Sequence, residues 1–527
     1  MIGPQAATSE KLFHYGDAEI VLGIVAAIGV NYGAVQEWLS KELAVYGYTP
    51  NVFRVSEVIS ETAKALDIVP PADNLPEGSR ITAFMNAGNA IRKASGHTDI
   101  FALLAAAQIA TTRTAAEDGR LRPFSKVAHI IVSLKRPEEV EPLRQIYGCG
   151  FYLIGLFAGE QERLDYLIHQ KDISKGKASQ LIQRDMEDED KEFGQRTRDT
   201  FHLADVFTQL KNRSFEVELK RFLNLIFGHP YTTPAPDEFA MFHAYAASLR
   251  SAQLGRQVGA AIVNARSDLI SVGCNEVPSP GGGLYWEGSV PDNRDHTRKE
   301  DSNDLQKSLI IDDIVARLRA KRIIGREGSI TQKMAEEAIR SSLLKEITEF
   351  GRAVHAEMDA LLACARNSVS PVDATLFTTT FPCHNCTRHI IAAGIKRVVY
   401  IEPYPKSQAA ALHEDAIRIE DAVIADVTAT GNSPKIIPFS PFIGVGPRRF
   451  FDLFSVSLSS GFHLERKRNG KVFEWDPFKD ARPRVPLAPT SYLDRELIAA
   501  KRVYSIFGPK PGAKHAKRKT KPAPARG

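Results

Sequence analysis

The sequence predicts an α/β protein built from two units in one chain. Three observations predict it. At 527 residues the chain is too long for one ordinary domain. Near its start an apolar run leads through glycines into a helical pattern. In its second half, strand-like runs alternate with short helices around a cluster of His, Glu and Cys.

The first unit is expected over residues 1–228. Ala18–Val25 has the continuous apolar pattern of a buried strand. Ala26–Gly33 follows, then a helical stretch with Val35, Trp38, Leu39 and Leu43 on its apolar side. Strand, glycine turn and helix form the phosphate-binding arrangement of P-loop proteins, which makes Gly23 and Gly29 candidate nucleotide-binding positions. The loop departs from G-x-x-x-x-G-K-[ST]. Five residues separate the two glycines, and Val30 stands where lysine should follow. A glycine turn that only closes a strand–helix corner fits equally well. His129–Val140 reads as strand, turn and helix start, and Phe151–Phe157 as another strand. The proline-rich stretch His229–Pro236 marks a boundary.

The second unit is expected over 237–475. A helix pattern (Phe239, Met241, Phe242, Tyr245, Leu249) precedes two strands, Gln257–Asn264 and Leu269–Gly273, joined by a polar turn. An insertion spans 280–348. It carries Tyr285, Trp286, Arg294 and His296, candidates to close over a ligand, and an amphipathic helix expected over Leu309–Ile324. Then come His355-Ala356-Glu357 and Pro382-Cys383-His384-Asn385-Cys386. Strand patterns lie at Ala374–Thr379 and Arg397–Ile401.

One imidazole (His355) and two thiolates (Cys383, Cys386) leave the fourth position of a tetrahedral zinc open. Zinc lowers the pKa of a water at that position and so supplies a nucleophile near neutral pH. Glu357 lies close enough in sequence to move protons without being a ligand. Residues two apart do not share a helix face. His355 and Glu357 can therefore serve one metal only at a helix start, and the Cys383 segment should begin a second helix facing it. Cys364 sits in an apolar helical run and reads as core.

H-x-E…P-C-x-x-C resembles the signature of zinc-dependent nucleobase deaminases. With Val258–Pro278 and Ala393-Gly394-Ile395 added, the second half resembles deoxycytidylate deaminases, which implies a three-layer α/β/α cytidine-deaminase-like fold. In that family the asparagine after the second strand contacts the sugar. Asn275 is the matching position, and Asn264, the backbone around Ala356 and Lys406 are further substrate-binding candidates. Turn formation explains either asparagine as well.

The first half, with Arg184-Asp185, Gly194-Gln195 and Asp199–Phe207, resembles a degenerate nucleotide-kinase-like P-loop domain. Together with Met85–Asn89, Arg256–Ala260, Gly283–Glu287 and Glu402–Ser407, the chain from about 17 to 475 resembles bacterial anti-phage dCTP deaminases. That resemblance implies deamination of free deoxycytidine nucleotides, dCTP and dCMP. It also implies Zn2+ as cofactor, a regulatory RNA or nucleotide at the N-terminal domain, and a homo-oligomer. Two other readings stay open: a deaminase of single-stranded or flipped polynucleotide bases, and an N-terminal ligand sensor with the deaminase as its effector.

Composition narrows the class. The chain is 43% hydrophobic and 25% charged, as in globular proteins. Its longest apolar runs fall short of the roughly 20 residues of a membrane span. Five cysteines, two of them assigned to zinc, make no disulfide framework and fit a reducing cytoplasm. An extension is expected over 476–507 and a disordered basic tail over 508–527. The tail holds seven Lys/Arg and no acid, so the rest of the chain carries −2 of the net +5. A near-neutral body does not advertise a nucleic-acid groove.

Overall fold

The computed structural model describes residues 17–72, 74–114, 121–347, 349–403, 407–419, 436–457, 464–484 and 489–508. Two six-stranded sheets organise them.

The first sheet contains β1 (Ile20–Ala26), β2 (Thr49–Arg54), β3 (Val127–Val132), β4 (Phe151–Phe157) and β5 (Val206–Gln209), in the order β2-β3-β1-β4-β5. All four pairings among them are parallel. Parallel sheets are covered on both faces, so their inner strands are apolar throughout. Every residue of β1 and β4 is buried. Strand alternation then divides β1 between two cores. Val21 and Val25 face the Ile100–Thr111 helix, while Ile20, Leu22 and Ile24 face the Tyr32–Val45 and Phe215–Ile226 helices. Gly23, in mid-strand, is a packing glycine. A Cβ there would lie 2.8 Å from both Leu134 and Phe151. This places it in the sheet, not in a phosphate loop.

The second sheet contains β6 (Gly259–Val263), β7 (Leu269–Cys274), β8 (Thr375–Thr378), β9 (Arg397–Tyr400), β10 (Ile417–Ile419) and β11 (Ile437–Pro441), in the order β10-β11-β9-β8-β6-β7. β6 runs antiparallel to both β7 and β8, and the pairs from β8 to β10 are parallel. The Pro236–Ser248 helix covers one face, and the Ala356–Arg366 and His384–Ala392 helices the other. The result is three layers, α/β/α, a cytidine-deaminase-like arrangement. The insertion helix runs over Ser302–Ala320, seven residues ahead of the apolar pattern that suggested it. Asp301 starts it early by accepting hydrogen bonds from the amides of Asn303 and Asp304.

The units share a core. Phe201 and Phe207 of the first pack in one cluster with Met241, Phe377, Val399 and Phe442 of the second. After β11 the chain crosses back: β12 (Gly444–Val445) pairs antiparallel with β5 and becomes the sixth strand of the first sheet. This strand lies inside the stretch that the sequence assigned to the second unit. The Pro489–Phe507 helix also returns, packing on the Ile100–Thr111 helix. Of the expected tail, 508–527, all but Gly508 lies outside the described residues. Among the described residues no helix is long and apolar enough to cross a membrane.

A buried network fixes that last helix. The Arg113 guanidinium donates to Glu19 at 2.9 and 3.1 Å and to Glu496 at 2.6 and 2.7 Å. Tyr492 donates to Glu19, and His129 Nε2 lies 2.8 Å from it. Burial pushes the Glu19 carboxyl up, but its hydrogen bonds to His129 and Arg113 prevail and hold it below the ordinary range. Removing the shared cation would strand two buried carboxylates. Arg113→Met is therefore expected to cost about 3–5 kcal/mol, read as a shift in chemical denaturation followed by circular dichroism. A loss below about 1 kcal/mol, the scale of an exposed pair, would contradict this assignment.

Candidate metal centre

The site is built where two helices begin. His355 and Cys383 each occupy the N-cap position of a helix, with extended backbone (φ/ψ −72/156° and −69/165°). The Cys383 thiol caps its own helix by accepting from the Cys386 amide at 3.4 Å. His355 Nδ1 lies 3.3 Å from Cys383 Sγ and 3.4 Å from Cys386 Sγ, and all three ligand atoms lie within 4.8 Å of one another. Tetrahedral zinc, with bonds of about 2.3 Å to sulfur and 2.05 Å to nitrogen, sets such atoms about 3.5–3.8 Å apart. The donor set and spacing fit zinc. Both helix N-termini point their partial positive charge at the thiols, which favours thiolates. The hydrogen bond from Cys386, opposed by burial and helped by His355, pulls the Cys383 thiol down to about 4.

Glu357, in the first turn beside His355, is 4% exposed. Its Oε2 lies 3.3 Å from Cys386 Sγ, and its Oε1 accepts from Thr378 Oγ1 at 3.4 Å. Burial, then the charge of Cys383, pushes its carboxyl up. A raised carboxyl pKa favours a group that both accepts and returns a proton.

The helix carrying His355 lies unusually close to the sheet. A Cβ on Gly273 would sit 2.3 Å from the Ala356 carbonyl and 2.4 Å from the Ala360 amide. Ser271 Oγ donates to the Ala360 carbonyl at 2.9 Å, and buried Asp359 accepts from the Cys274 amide at 3.3 Å. An isolated antiparallel bridge between Glu276 and Val354 delivers the chain to His355. Sequence reasoning did not single out Thr378, Asp359, Ser271 or Gly273. Their common signal was small or polar residues inside otherwise apolar strands and helices.

Other candidates fall elsewhere. Asn264 is a turn residue. Its Oδ1 accepts from the Arg266 and Asp268 amides and its Nδ2 donates to Asp268, in the β6–β7 hairpin. That hairpin is at the opposite end of β6 from Ala260, the residue paired with Thr378. Asn275 spends its amide on backbone, accepting from Val258 N at 2.7 Å and donating to Arg256 O at 2.7 Å, and so fastens the lead into β6. Ala356 is fully buried at the first helical position.

In the insertion, Arg294 pairs with Asp292 and Glu287, and His296 sits 3.9 Å from Asp292. Tyr285 accepts from Asn293, and Trp286 stacks under Arg250 at 3.5 Å. Apart from the Trp286–Arg250 stack, these contacts lie within the insertion. Lys406 lies outside the described residues. Cys364 is buried and donates to Ser271, a core residue as expected.

The three-ligand centre lies wholly inside a stretch with known relatives. Residues 234–402 match the family model of the cytidine and deoxycytidylate deaminase zinc-binding region. Deoxycytidylate deaminase of Enterobacteria phage T2 is 44% identical over 55 residues, 10% of this chain and 29% of that protein. ComE operon protein 2 of Bacillus subtilis (strain 168) is 45% identical over 53 residues, 10% of this chain and 28% of that protein. The chain thus spans under a third of the length of these two relatives. The crystal structure of dCMP deaminase from cyanophage S-TIM5 in apo form aligns at 17% identity over 40% of this chain and 99% of that one, with a TM-score of 0.21.

Two substitutions test the centre. Cys383→Ala removes a ligand and should abolish stoichiometric zinc, measured by elemental analysis of purified protein. Gly273→Ala touches no ligand, yet should weaken zinc by about tenfold or more, as loss of ligand support does, in competition with a chromophoric chelator. Unchanged zinc affinity in Gly273→Ala would show that the close helix approach does not set the ligands.

Proposed function

We propose that this protein hydrolyses the exocyclic amine of free deoxycytidine nucleotides, dCTP and dCMP, giving deoxyuridine nucleotides and ammonia. The single observation carrying this reading is Glu357, a buried carboxyl held against a His/Cys/Cys centre in the zinc-binding region of a deaminase. His355, Cys383 and Cys386 would hold the metal. A zinc there supplies a water of lowered pKa as nucleophile and leaves one coordination position for it.

The rest is the work of this chain. Glu357 accepts the proton of the attacking water and delivers it to N3 of the ring as C4 becomes tetrahedral; it then takes the remaining proton from the C4 hydroxyl and passes it to the exocyclic amine, which leaves as ammonia as the C4 carbonyl forms. Its raised pKa suits both directions of transfer. Thr378 holds one carboxyl oxygen, leaving the other toward the centre. The backbone around Ala356, next to His355 at the helix start, helps to position the base.

The chain-long resemblance supports a finer reading, in which dCTP depletion starves phage DNA synthesis and the N-terminal unit regulates the enzyme. A cavity of ≈ 290 Å³ supports a ligand there. It opens at the C-terminal edge of β1, β2 and β3 and is lined by Gly29, Tyr32, Arg80, Lys135, Lys171 and Gln195. Ligands of open α/β sheets bind at such edges. Lys135 donates to the Ala26 carbonyl at 2.5 Å, and the Gln195 side-chain oxygen is buried without a partner. A nucleotide, the small-ligand alternative to a regulatory RNA, matches this lining of cations and aromatic rings.

Glu357→Ala should retain zinc and lose deamination by about 10²–10⁴-fold, the range for a lost general acid–base. Paired zinc and uracil-product assays check it. Substantial residual turnover in the zinc-loaded variant would remove Glu357 from the reaction.

A further inference from the structure

A second cavity, of ≈ 250 Å³, lies at the seam between the two units. Its floor is Thr379 and Thr380, the residues that lead from β8 toward the Cys383 helix. Thr380 precedes Cys383 by three residues, so at most about 10 Å of chain separates them. That is the scale on which a nucleotide extends from its base to its 5′-phosphate.

The walls come from three parts of the chain. Arg256 and Gln257 belong to the lead into β6. His202 and Asp199 belong to the first unit, in and just after the Thr197–Phe201 helix. Arg448 follows β12, the strand that crosses back to the first sheet.

An acid near these walls is already engaged: Glu402, whose carboxyl feels the charge of Arg256, pairs with Arg198 at 3.3 Å. Neither Arg256 nor Arg448 forms a side-chain ion pair among the described residues. Arg448 only stacks over Tyr245, 5.4 Å from its centroid. The acid in the lining, Asp199, is taken by Arg196 at 2.5 Å. Burial, then the charges of Arg256 and Arg198, pushes the His202 imidazole down to about 3, so it is neutral at physiological pH. Two guanidiniums thus share a cavity with a neutral imidazole, an amide and two threonines. Guanidinium forks match phosphate oxygens in shape and charge.

We propose that this seam cavity binds the 5′-phosphate chain of the substrate, so that the first unit, through His202, and the returning strand, through Arg448, build part of the nucleotide site. The inference rests on the deaminase reading and adds to it. Recognition of the phosphates is shared between the units, and a shift of one against the other alters affinity without touching zinc. A deaminase unit alone would keep Arg256 and lose His202.

The test uses full-length, zinc-loaded protein with inorganic tripolyphosphate as probe, titrated calorimetrically, and a kcat/KM comparison of dCTP with deoxycytidine. Wild type should bind tripolyphosphate. Arg448→Glu and His202→Ala should each weaken that binding by about tenfold or more, as for a lost charge-assisted hydrogen bond. The dCTP-to-deoxycytidine preference should fall in parallel, and Arg448→Lys should restore part of both. Thermal midpoints near wild type exclude misfolding. Failure of wild type to bind the probe, or unchanged binding and preference in folded Arg448→Glu, overturns the seam site while leaving deamination intact. Probe binding with no turnover of any free nucleotide overturns the deaminase reading, and the assignment of the anion as substrate with it.

Discussion

The close approach of one helix to one sheet governs this molecule. The Ala356–Arg366 helix presents a backbone carbonyl and an amide to β7 at a spacing that no side chain on Gly273 would permit. On the opposite face, a Cβ on Gly259 would meet the Ala244 carbonyl at 1.8 Å, so the Pro236–Ser248 helix is equally tight. The middle layer is thus clamped from both sides at adjacent strands, since Gly259 pairs with Cys274 beside Gly273. With the helix fixed, its N-cap His355 has one place to be. The Cys383 helix, packed in the same apolar cluster, brings its own N-cap to the same point. A metal centre needs preset ligands, and backbone packing presets these.

The second constraint is the shared core between the sheets. A linker would let the units move freely, but here Phe201, Phe207, Met241, Phe377 and Phe442 pack in one cluster. Polar contacts register it. Arg221 pairs with Glu238 at 2.6 Å, and Glu238 in turn accepts from the Val445 amide next to the β12–β5 pairing. Arg198 reaches Glu402 at 3.3 Å, and Glu402 accepts from the Phe381 amide, two residues before Cys383. A path of direct contacts therefore runs from the first unit to the loop that holds a zinc ligand. Such continuity is a physical means for one unit to influence the other.

The sequence showed the chemistry more clearly than the frame around it. His355, Glu357, Cys383 and Cys386 were legible because zinc coordination demands particular atoms at particular spacings, and the two-residue offset of His355 and Glu357 forced that segment to a helix start. The strands were legible wherever burial on both faces made them continuously apolar, as in Phe151–Phe157. Asn264 and Asn275 were ambiguous because asparagine serves turns and ligands with the same amide, and the turn and backbone partners they take become visible only in the fold. The return of β12 and of the Pro489–Phe507 helix was illegible for another reason. A two-residue strand has no periodicity, and Arg113 meets Glu496 across 383 positions, a pairing that no local pattern encodes. Thr379 and Thr380 read as the end of a strand, and their place under the seam cavity depends on where the other unit sits.

In the proposed reaction a zinc centre with Glu357 acts on free deoxycytidine nucleotides. The most direct measurement offers zinc-loaded protein dCTP, dCMP, CTP, deoxycytidine and a cytosine-bearing single-stranded oligonucleotide, and quantifies uracil products before and after metal chelation. The account predicts conversion of the deoxynucleotides, abolished by the chelator and restored by zinc, with the oligonucleotide untouched. Conversion of the oligonucleotide alone would contradict it.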